Sequence, residues 1–476
     1  MECIVATRCI GLFAPSDIRQ SRGQLGSENA SCASGLASQL SNMGKTHLLS
    51  PRHRPLLLCT LGLTFLFGYL LAYHLHHQGA QKGHLGDFPT FYQAAQLARN
   101  HQDMYLANQH GQQPYIYPPL TAVLYIPFTY LTLPAAARLM LLLTAAMLIA
   151  SLLLISQEML RRLGGTTSAT AVAVVALIVA VLNEDQLRAV LTMLETDALM
   201  LLLFTLALRW LDRAPLRAGA ALAFALNIKY LSIVMLPYLL LRRRWRVAAA
   251  MIVGSITFAL LPALHLGWHE DLRCLRVSTA GLLGWIGIAP PPSVHAVYVF
   301  KITDALSFSL TSGVARVLAA HHCPGGTLAL ALAAIALLSL AIANILYRFY
   351  GFSFWRSPRA GNQTRQPYLA LTGIEWTLLI AAILSFSPQT NARHLILSVI
   401  VNAAIAALLL QPPPVRGRVL LVAALFIIFC SKVMPTSHQT HRAEYFGLPG
   451  AGVLVGSLIF LAVALRHLKT RSAVPS

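Results

Sequence analysis

Polar side chains that could do chemistry stand out in this sequence because they lie beside long apolar runs. Asp87 follows the first run, in a stretch (86–120) that is rich in Tyr and Gln and holds one other carboxylate, Asp103. A carboxylate in such surroundings can take a proton from a sugar hydroxyl as a general base. Asp87 also fits an ordinary helix N-cap, because FPTFYQAAQLA after it reads as a helix start. The pattern alone favours the cap and leaves both roles open.

Basic residues interrupt the later apolar runs at two positions. Lys229 lies in AFALNIKYLSIVMLPYLLLRRRW, where a lysine is costly and needs water or a partner. It either snorkels at a helix end or binds a phosphate. Arg393 and His394 follow a short polar turn that begins at Ser387. A plain turn explains them, but an arginine there also suits a phosphate, which it binds through paired N–H donors.

Three acids lie within or at the ends of apolar runs, namely Glu195, Asp197 and Glu375. Acids in such positions are functional candidates, although Glu375 either pairs with a structural arginine or stays protonated. The arginines at 242–244, by contrast, read as a plain cytoplasmic anchor. Tyr117 precedes a Pro-Pro step and fits the start of an interfacial helix.

The composition is that of an integral membrane protein. The 476 residues are 56% hydrophobic and 11% charged, with a mean hydropathy of +0.63, whereas soluble domains carry about 25% charge. The net charge of +20 therefore indicates cytoplasmic arginines and not a nucleic-acid partner. No cofactor motif occurs, and no metal site is predicted because the loose histidine set has no partner acid on a defined helix. That set is His74, His76, His77 and His84.

The apolar runs long enough to predict membrane helices are 55–73, 135–157, 169–182, 188–210, 246–264, 326–349, 368–386, 394–411, 417–433 and 448–466. Two shorter runs, 119–133 and 215–241, complete an all-α polytopic fold of about 10–12 membrane helices. We expect 215–241 to form two half-length helices joined at Lys229. Residues 1–42 are predicted to be a disordered or spurious leader, followed by a single polytopic domain over 43–476.

Sidedness follows from the basic residues, which collect in cytoplasmic loops. If the N-terminus is inside and 119–133 does not cross, most of the 36 Lys and Arg residues fall inside. Both termini are then cytoplasmic, and Asp87, Lys229 and the Arg393-His394 pair meet on the outer face. A disulfide between Cys274 and Cys323 stays open, because both lie outside in this arrangement. The extracytoplasmic segments are 74–118, 265–325 and 387–393.

The order of these landmarks resembles glycosyltransferase family 87, over about residues 50–466. The resemblance rests on Gly86-Asp87-Phe88 with Phe91-Tyr92-Gln93-Ala94-Ala95, Tyr117-Pro118-Pro119-Leu120, Asn227-Ile228-Lys229, Leu236-Pro237-Tyr238, and Leu384-Ser385-Phe386-Ser387-Pro388 before Arg393-His394. This family is a group of polytopic membrane enzymes of the GT-C type. It includes mannosyltransferases and an arabinofuranosyltransferase that depend on polyprenyl-phosphate sugars.

The resemblance implies a GT-C-like fold in the plasma or inner membrane, with the active site on the extracytoplasmic face. A hexosyl (mannosyl-like) or pentosyl unit would pass from a polyprenyl-phosphate donor to a glycolipid or polysaccharide acceptor, with inversion. Asp87 would be the general base. No nucleotide sugar, cofactor or obligatory metal is implied. The donor phosphate would be bound by Lys229, Arg393 and His394, and Tyr92 and Tyr117 would line the substrate loop.

Some residues depart from the family pattern. The sequence has Leu194-Glu195-Thr196-Asp197 where the family often has Gly-Gln-x-Asn, Pro292–His295 where it has Asn-Gln-Ser, and Arg393 where another residue is common. A flippase or transporter of lipid-linked glycans is the alternative, and a scaffold that only binds partners is a third option. Transporters show two related halves with broken helices in matching positions. We see one break, at Lys229, which favours the enzyme.

The predicted sidedness can be tested by cysteine labelling in intact cells. A cysteine introduced at Asn100, in the first outer segment, should react with a membrane-impermeant maleimide without permeabilisation. A control cysteine at Thr166, in a predicted inner loop, should react only after permeabilisation. Labelling of the Asn100 position only from the cytoplasm would contradict the arrangement.

Overall fold

The architecture, seen in a computed structural model, is all-helical wherever it is described, and no strand occurs in those ranges. Residues Leu58–Ser476 form one compact unit. Residues Met1–Leu57 form another, of which only 54–57 are described, so the predicted leader lies outside the described residues. The described ranges are 54–80, 85–106, 115–285, 301–355, 365–388, 390–411, 414–434 and 436–472.

The described ranges hold α-helices and a few short 3₁₀ turns. In chain order they are α1 (Arg54–Ala80), α2 (Phe88–Arg99), α3 (Pro119–Tyr125), α4 (Leu133–Leu163), α5 (Ala169–Leu182), α6 (Glu184–Met193), α7 (Asp197–Trp210), α8 (Pro215–Ile228), α9 (Met235–Leu241), α10 (Trp245–Leu260), α11 (Ala263–Leu266), α12 (Trp268–Trp285), α13 (Leu310–Ala320), α14 (Gly325–Phe349), α15 (Arg365–Phe386), α16 (Ser398–Leu409), α17 (Arg418–Lys432), α18 (Ser437–Tyr445) and α19 (Leu448–Ser472). The 3₁₀ turns are Met104–Leu106, Ile126–Tyr130, Tyr230–Val234 and His394–Leu397.

Six helices of the described residues are long and apolar enough to cross a membrane, or up to eight if each of two bent helix pairs is one span. This confirms the all-α, polytopic membrane fold. The bent pairs are α5 with α6 and α17 with α18. Other predicted runs appear as short apolar helices, among them α8, the segment Tyr230–Leu241, and the segment His394–Leu409.

The prediction of one continuous helix over 188–210 is wrong. Helix α6 ends at Met193 and α7 begins at Asp197, because Leu194 has a left-handed backbone with φ 52°. Helices α5 and α6 meet at 73°, so the break at Lys229 is not the only one among the described helices. The expected division of 215–241 is confirmed, since Lys229 has an extended backbone between α8 and the following 3₁₀ turn.

Helix α8 is held against α10 by a close approach of small residues. An added Cβ at Gly219 would lie 2.5 Å from both the Ala250 side chain and the Val247 carbonyl oxygen. Another at Gly254 would lie 2.9 Å from the Ala223 side chain. Small residues of this kind let membrane helices pack backbone to backbone. The packing fixes the position of the α8 end that carries Lys229.

A set of buried charges lies at the C-terminal end of α7. Arg162, which is fully buried, contacts Glu158 at 2.7 Å and Asp212 at 2.8 Å. Arg244 donates to the other oxygen of Asp212 at 2.8 Å. Helix α7 has 14 residues, so about 21 Å separates this end from Asp197 at the first residue of the helix.

Arg242 forms a further buried pair with Glu375. Its Nε donates to Glu375 Oε2 at 3.1 Å, and the Tyr238 hydroxyl donates to the same oxygen at 2.9 Å. Arg242 and Arg244 are therefore not only the plain cytoplasmic anchor that the sequence suggested, because both side chains are largely buried against carboxylates. Glu375 is explained by its arginine partner.

Candidate functional site

The candidate site is a cluster of charged side chains in which each member lies at a helix end or break. Asp87 immediately precedes α2, and Lys229 follows α8. Glu195 lies in the break between α6 and α7. Arg393 precedes the 3₁₀ turn that begins with His394. Residues at helix ends and breaks can turn polar side chains toward one another without interrupting a helix interior.

Glu195 is the centre of this cluster. Its carboxylate is 2% exposed and contacts both cations of the cluster. Oε1 accepts from Arg393 Nη1, and Oε2 accepts from Lys229 Nζ at 3.2 Å. The hydroxyl of Tyr117 also donates to Oε2, at 3.1 Å. Each oxygen of this one carboxylate therefore holds a different cation.

Lys229 is buried with a full set of partners. Besides Glu195, its Nζ donates to Asp197 Oδ1 at 2.7 Å and lies 3.1 Å from His394 Nε2. A charged ammonium can approach Nε2 only if that nitrogen accepts, so the contact corresponds to a neutral His394 with its proton on Nδ1. The ammonium also lies 5.5 Å from the ring centroid of Tyr117. The snorkelling interpretation of Lys229 is wrong, because its partners are protein groups.

Asp87 occupies the N-cap position of α2, but its side chain accepts no capping hydrogen bond. The carboxylate instead forms an ion pair with Arg393. Burial and the neighbouring Glu195 carboxylate raise the pKa of Asp87 to about 7, against the lowering effect of the Arg393 guanidinium. A carboxylate with a pKa near neutrality is suited to accept a proton and release it again.

The backbone at Gly86 brings Asp87 to the cluster. The Asp87 N–H donates to the Met193 carbonyl at 3.0 Å, which joins the start of α2 to the end of α6. Gly86 has φ +59°, and an added Cβ would lie 2.5 Å from the Thr192 carbonyl oxygen. Only glycine fits this conformation and this close approach without strain.

The Arg393-His394 pair is oriented by Asn391. The Asn391 Oδ1 accepts from the backbone N–H groups of both residues, at 3.1 Å each, which is the geometry of an Asx turn. The Phe308 N–H donates to the Thr390 carbonyl at 2.6 Å, so the segment before α13 holds this turn in place. Asn391 is not among the predicted site residues, although an Asn two residues before such a pair is a recognisable turn signal.

The two predicted substrate-loop tyrosines differ in position. Tyr117 lies in the charged cluster, and its ring packs 4.7 Å from that of Phe91. Tyr92 instead donates its hydroxyl to the Leu131 carbonyl at 2.8 Å and packs beside Phe88. The structure therefore brings Tyr117 together with Asp87, Lys229, Arg393 and His394, whereas the contacts of Tyr92 are with the scaffold.

A second buried lysine, Lys432 at the end of α17, contacts the residue that follows the His394–Leu397 turn. Lys432 Nζ donates to Asn183 Oδ1 and Gln186 Oε1 at 3.1 Å each, and to Ser398 Oγ at 3.3 Å. Ser398 is the first residue of α16. These partners join the α5–α6 bend to the start of α16. This cluster was not predicted from the sequence, because Lys432 reads as an ordinary basic residue at the end of an apolar run.

In the part of the chain that the structure describes, no group of three or more His, Cys, Asp or Glu side chains could hold a metal ion. The predicted histidine set lies outside the described side chains. Cys274 and Cys323 are free thiols, so the disulfide considered for them is not formed.

Comparison with protein families gives a match to the model of glycosyltransferase family 87 over residues 115–360, just over half of the chain. The chain belongs to glycosyltransferase family 87. Comparison with curated proteins and with solved structures found no match. Family 87 membership together with the membrane helices identifies a multi-pass membrane glycosyltransferase, which acts on a sugar donor and an acceptor.

The family 87 match covers only part of the cluster. Tyr117, Glu195, Asp197 and Lys229 lie within the matched residues, whereas Asp87 and the Arg393-His394 pair lie outside them. The contacts of Arg393 and His394 with Glu195 and Lys229 join the two sets.

The charge balance of this family 87 site predicts the effect of removing Lys229. Substitution Lys229→Met should lower the free energy of unfolding by about 3–5 kcal/mol, because Glu195 and Asp197 would keep buried charges without their shared cation. Thermal unfolding of the purified protein in detergent measures the change. Adding Asp197→Asn should recover part of the loss.

The exposed Lys301 supplies a control, since Lys301→Met should leave the unfolding temperature unchanged. If Lys229→Met were as stable as the wild type, Lys229 would not balance the buried carboxylates.

Proposed function

We propose that this membrane glycosyltransferase moves a hexosyl or pentosyl unit from a polyprenyl-phosphate donor to a glycolipid or polysaccharide acceptor. Transfer would occur on the extracytoplasmic face of the plasma membrane, with both termini cytoplasmic and with inversion of the anomeric centre. One observation carries the proposal. Asp87, which has a pKa of about 7, forms an ion pair with Arg393, and Arg393 shares the Glu195 carboxylate with the buried Lys229 in this family 87 chain.

The reaction needs a base and a site for the leaving phosphate. An acceptor hydroxyl attacks the anomeric carbon of the donor sugar while its proton passes to an Asp87 oxygen. The bond from that carbon to the phosphate oxygen breaks, and polyprenyl phosphate leaves with the electron pair. Cations placed where this charge develops lower the barrier. Lys229 and Arg393 have this role in the proposal, and the neutral His394 orients the Lys229 ammonium through its Nε2.

The exposure of the cluster agrees with entry of substrates from one side. The Asp87 and Arg393 side chains are 20% and 16% exposed, whereas Glu195 is 2% exposed. Substrates would therefore meet Asp87 and Arg393 first. A site at the membrane face keeps the lipid chain of the donor in the bilayer while the acceptor arrives from water.

A carrier of lipid-linked glycans would use the same cations but would need no base. The break between α6 and α7 adds to the broken helices of the chain, which is a feature of transporters. The carboxylates at this break, however, are paired: Asp197 with Lys229, and Glu195 with Arg393. The same Arg393 also pairs with Asp87. This arrangement supports chemistry at the cluster, and the role of Asp87 distinguishes the two functions.

The substitution Asp87→Asn should abolish sugar transfer, because an amide cannot accept the acceptor proton. The measurement compares glycolipids and surface polysaccharide by mass spectrometry. The strains are a deletion strain and the same strain complemented with wild type or with Asp87→Asn at equal membrane level. A sugar that is missing in the deletion should return only with the wild type.

Asp103 offers a matched control, since it is the other carboxylate of the first outer segment and pairs with Arg273 at 2.8 Å. The Asp103→Asn variant should restore the missing sugar. If Asp87→Asn restores it equally well, the chain acts as a carrier or scaffold.

The pH dependence of transfer should follow the ionisation of Asp87. Its pKa is raised to about 7, so the carboxylate is mostly protonated, and unable to act as a base, below that pH. We expect kcat/KM to reach half of its plateau near pH 7 and to level off about one pH unit higher, with a value at pH 6 about tenfold below the plateau. Initial rates between about pH 5 and 9 check this expectation. A flat profile would mean that another group accepts the proton.

A further inference from the structure

Both cations that are proposed to bind the donor phosphate are already engaged by one carboxylate. Arg393 contacts Oε1 of Glu195, and Lys229 contacts Oε2 at 3.2 Å. Asp87 pairs with Arg393 but not with Lys229, and Asp197 pairs with Lys229 but not with Arg393. Glu195 is therefore the carboxylate that bridges the two cations. A donor phosphate would have to share or replace these contacts.

The ligand group that fits between such cations has two oxygens and one negative charge. The phosphate of a polyprenyl-phosphate sugar is a diester with two non-bridging oxygens that share one charge. A glutamate carboxylate offers the same number of oxygens and the same charge, so it can hold a lysine and an arginine in the arrangement that a phosphate needs.

We propose that Glu195 occupies the place of the donor phosphate between Lys229 and Arg393 and gives up both cations when the donor binds. The inference rests on the proposed function. Without donor, the carboxylate keeps the two cations in position and neutralises them. Two anions cannot both contact the same cations at full strength, because like charges repel at close range. Donor binding therefore exchanges one anion for another.

The surroundings of Glu195 allow this exchange. The Tyr117 hydroxyl donates to Oε2 at 3.1 Å, so the carboxyl group keeps one hydrogen bond after the cations leave. It takes up a proton at that point, because a buried carboxylate without a cation is neutralised. Lys229 keeps Asp197 at 2.7 Å, which prevents it from following the phosphate out of the site. The exchange moves side chains and leaves the helix breaks unchanged.

The exchange also changes the contacts of Asp87, the proposed base. Arg393 contacts Asp87 as well as Glu195. When Arg393 turns to the phosphate, Asp87 loses contact with its cation and becomes a stronger proton acceptor. Asp87 would thus hold the acceptor proton more strongly when the donor is present.

The test measures binding of the methyl ester of a polyprenyl phosphate, a diester with the same two non-bridging oxygens and single charge as the donor, to the full-length protein in nanodiscs of zwitterionic lipid. The Glu195→Gln variant keeps the shape of the side chain and the acceptor for Tyr117 but removes the competing charge. We expect it to bind the lipid phosphate about tenfold more tightly than the wild type. Asp197→Asn, which frees one cation contact only, should give a smaller increase. Asp185→Asn, at an exposed ion pair with Arg188, should bind as the wild type does.

Uncharged polyprenol controls for the lipid tail and should show no difference between the variants. Equal affinity of wild type and Glu195→Gln for the phosphate would overturn the inference. An equal gain in Asp197→Asn would also overturn it, because the effect would then be one of net charge. The proposed function fails separately, if the wild type binds no polyprenyl phosphate or binds it equally well after Lys229→Met.

If Glu195→Gln does not fold, as judged by size-exclusion chromatography and thermal unfolding, Glu195→Asp replaces it. This shorter carboxylate keeps the charge but cannot reach both cations. It should bind the polyprenyl phosphate about threefold more tightly than the wild type. No increase in a folded Glu195→Asp variant would overturn the inference.

Discussion

The ion pairs of the buried carboxylate of Glu195 are the interaction on which the site depends. A charge this deep in an apolar protein must be balanced, and the balance comes from Lys229 and Arg393. These partners lie far apart in the sequence, so their pairing joins the α6–α7 break to the end of α8 and to the segment before α16. The contacts that neutralise Glu195 therefore also assemble the cluster.

The helix breaks have a common physical cause. Carboxylates and cations cannot face lipid without a large cost, and an unbroken helix would spread them around its surface. The left-handed Leu194 and the extended Lys229 let the chain turn its charged side chains toward the same point. Helix α7 then acts as a spacer, because its other end is held by the Arg162 and Arg244 pairs with Asp212.

Asp87 lies between two opposing influences. Burial and the Glu195 charge raise its pKa, whereas the Arg393 guanidinium lowers it, and the result is a value of about 7. A group balanced in this way responds strongly to any movement of Arg393. In our proposal the same arginine contacts the phosphate and the base, so binding of the donor also raises the proton affinity of Asp87. A scaffold without chemistry would have no need of this arrangement.

The sequence by itself determined the all-α membrane fold, the family resemblance and the polar points at Asp87, Lys229 and Arg393, because hydropathy and short motifs are local properties. It predicted the division at Lys229 but missed the break before Asp197, since an apolar run does not reveal where its backbone turns. Only the tertiary structure decided that Glu195 bridges two cations. Ion pairs between distant segments depend on how helices pack, and no local pattern records that.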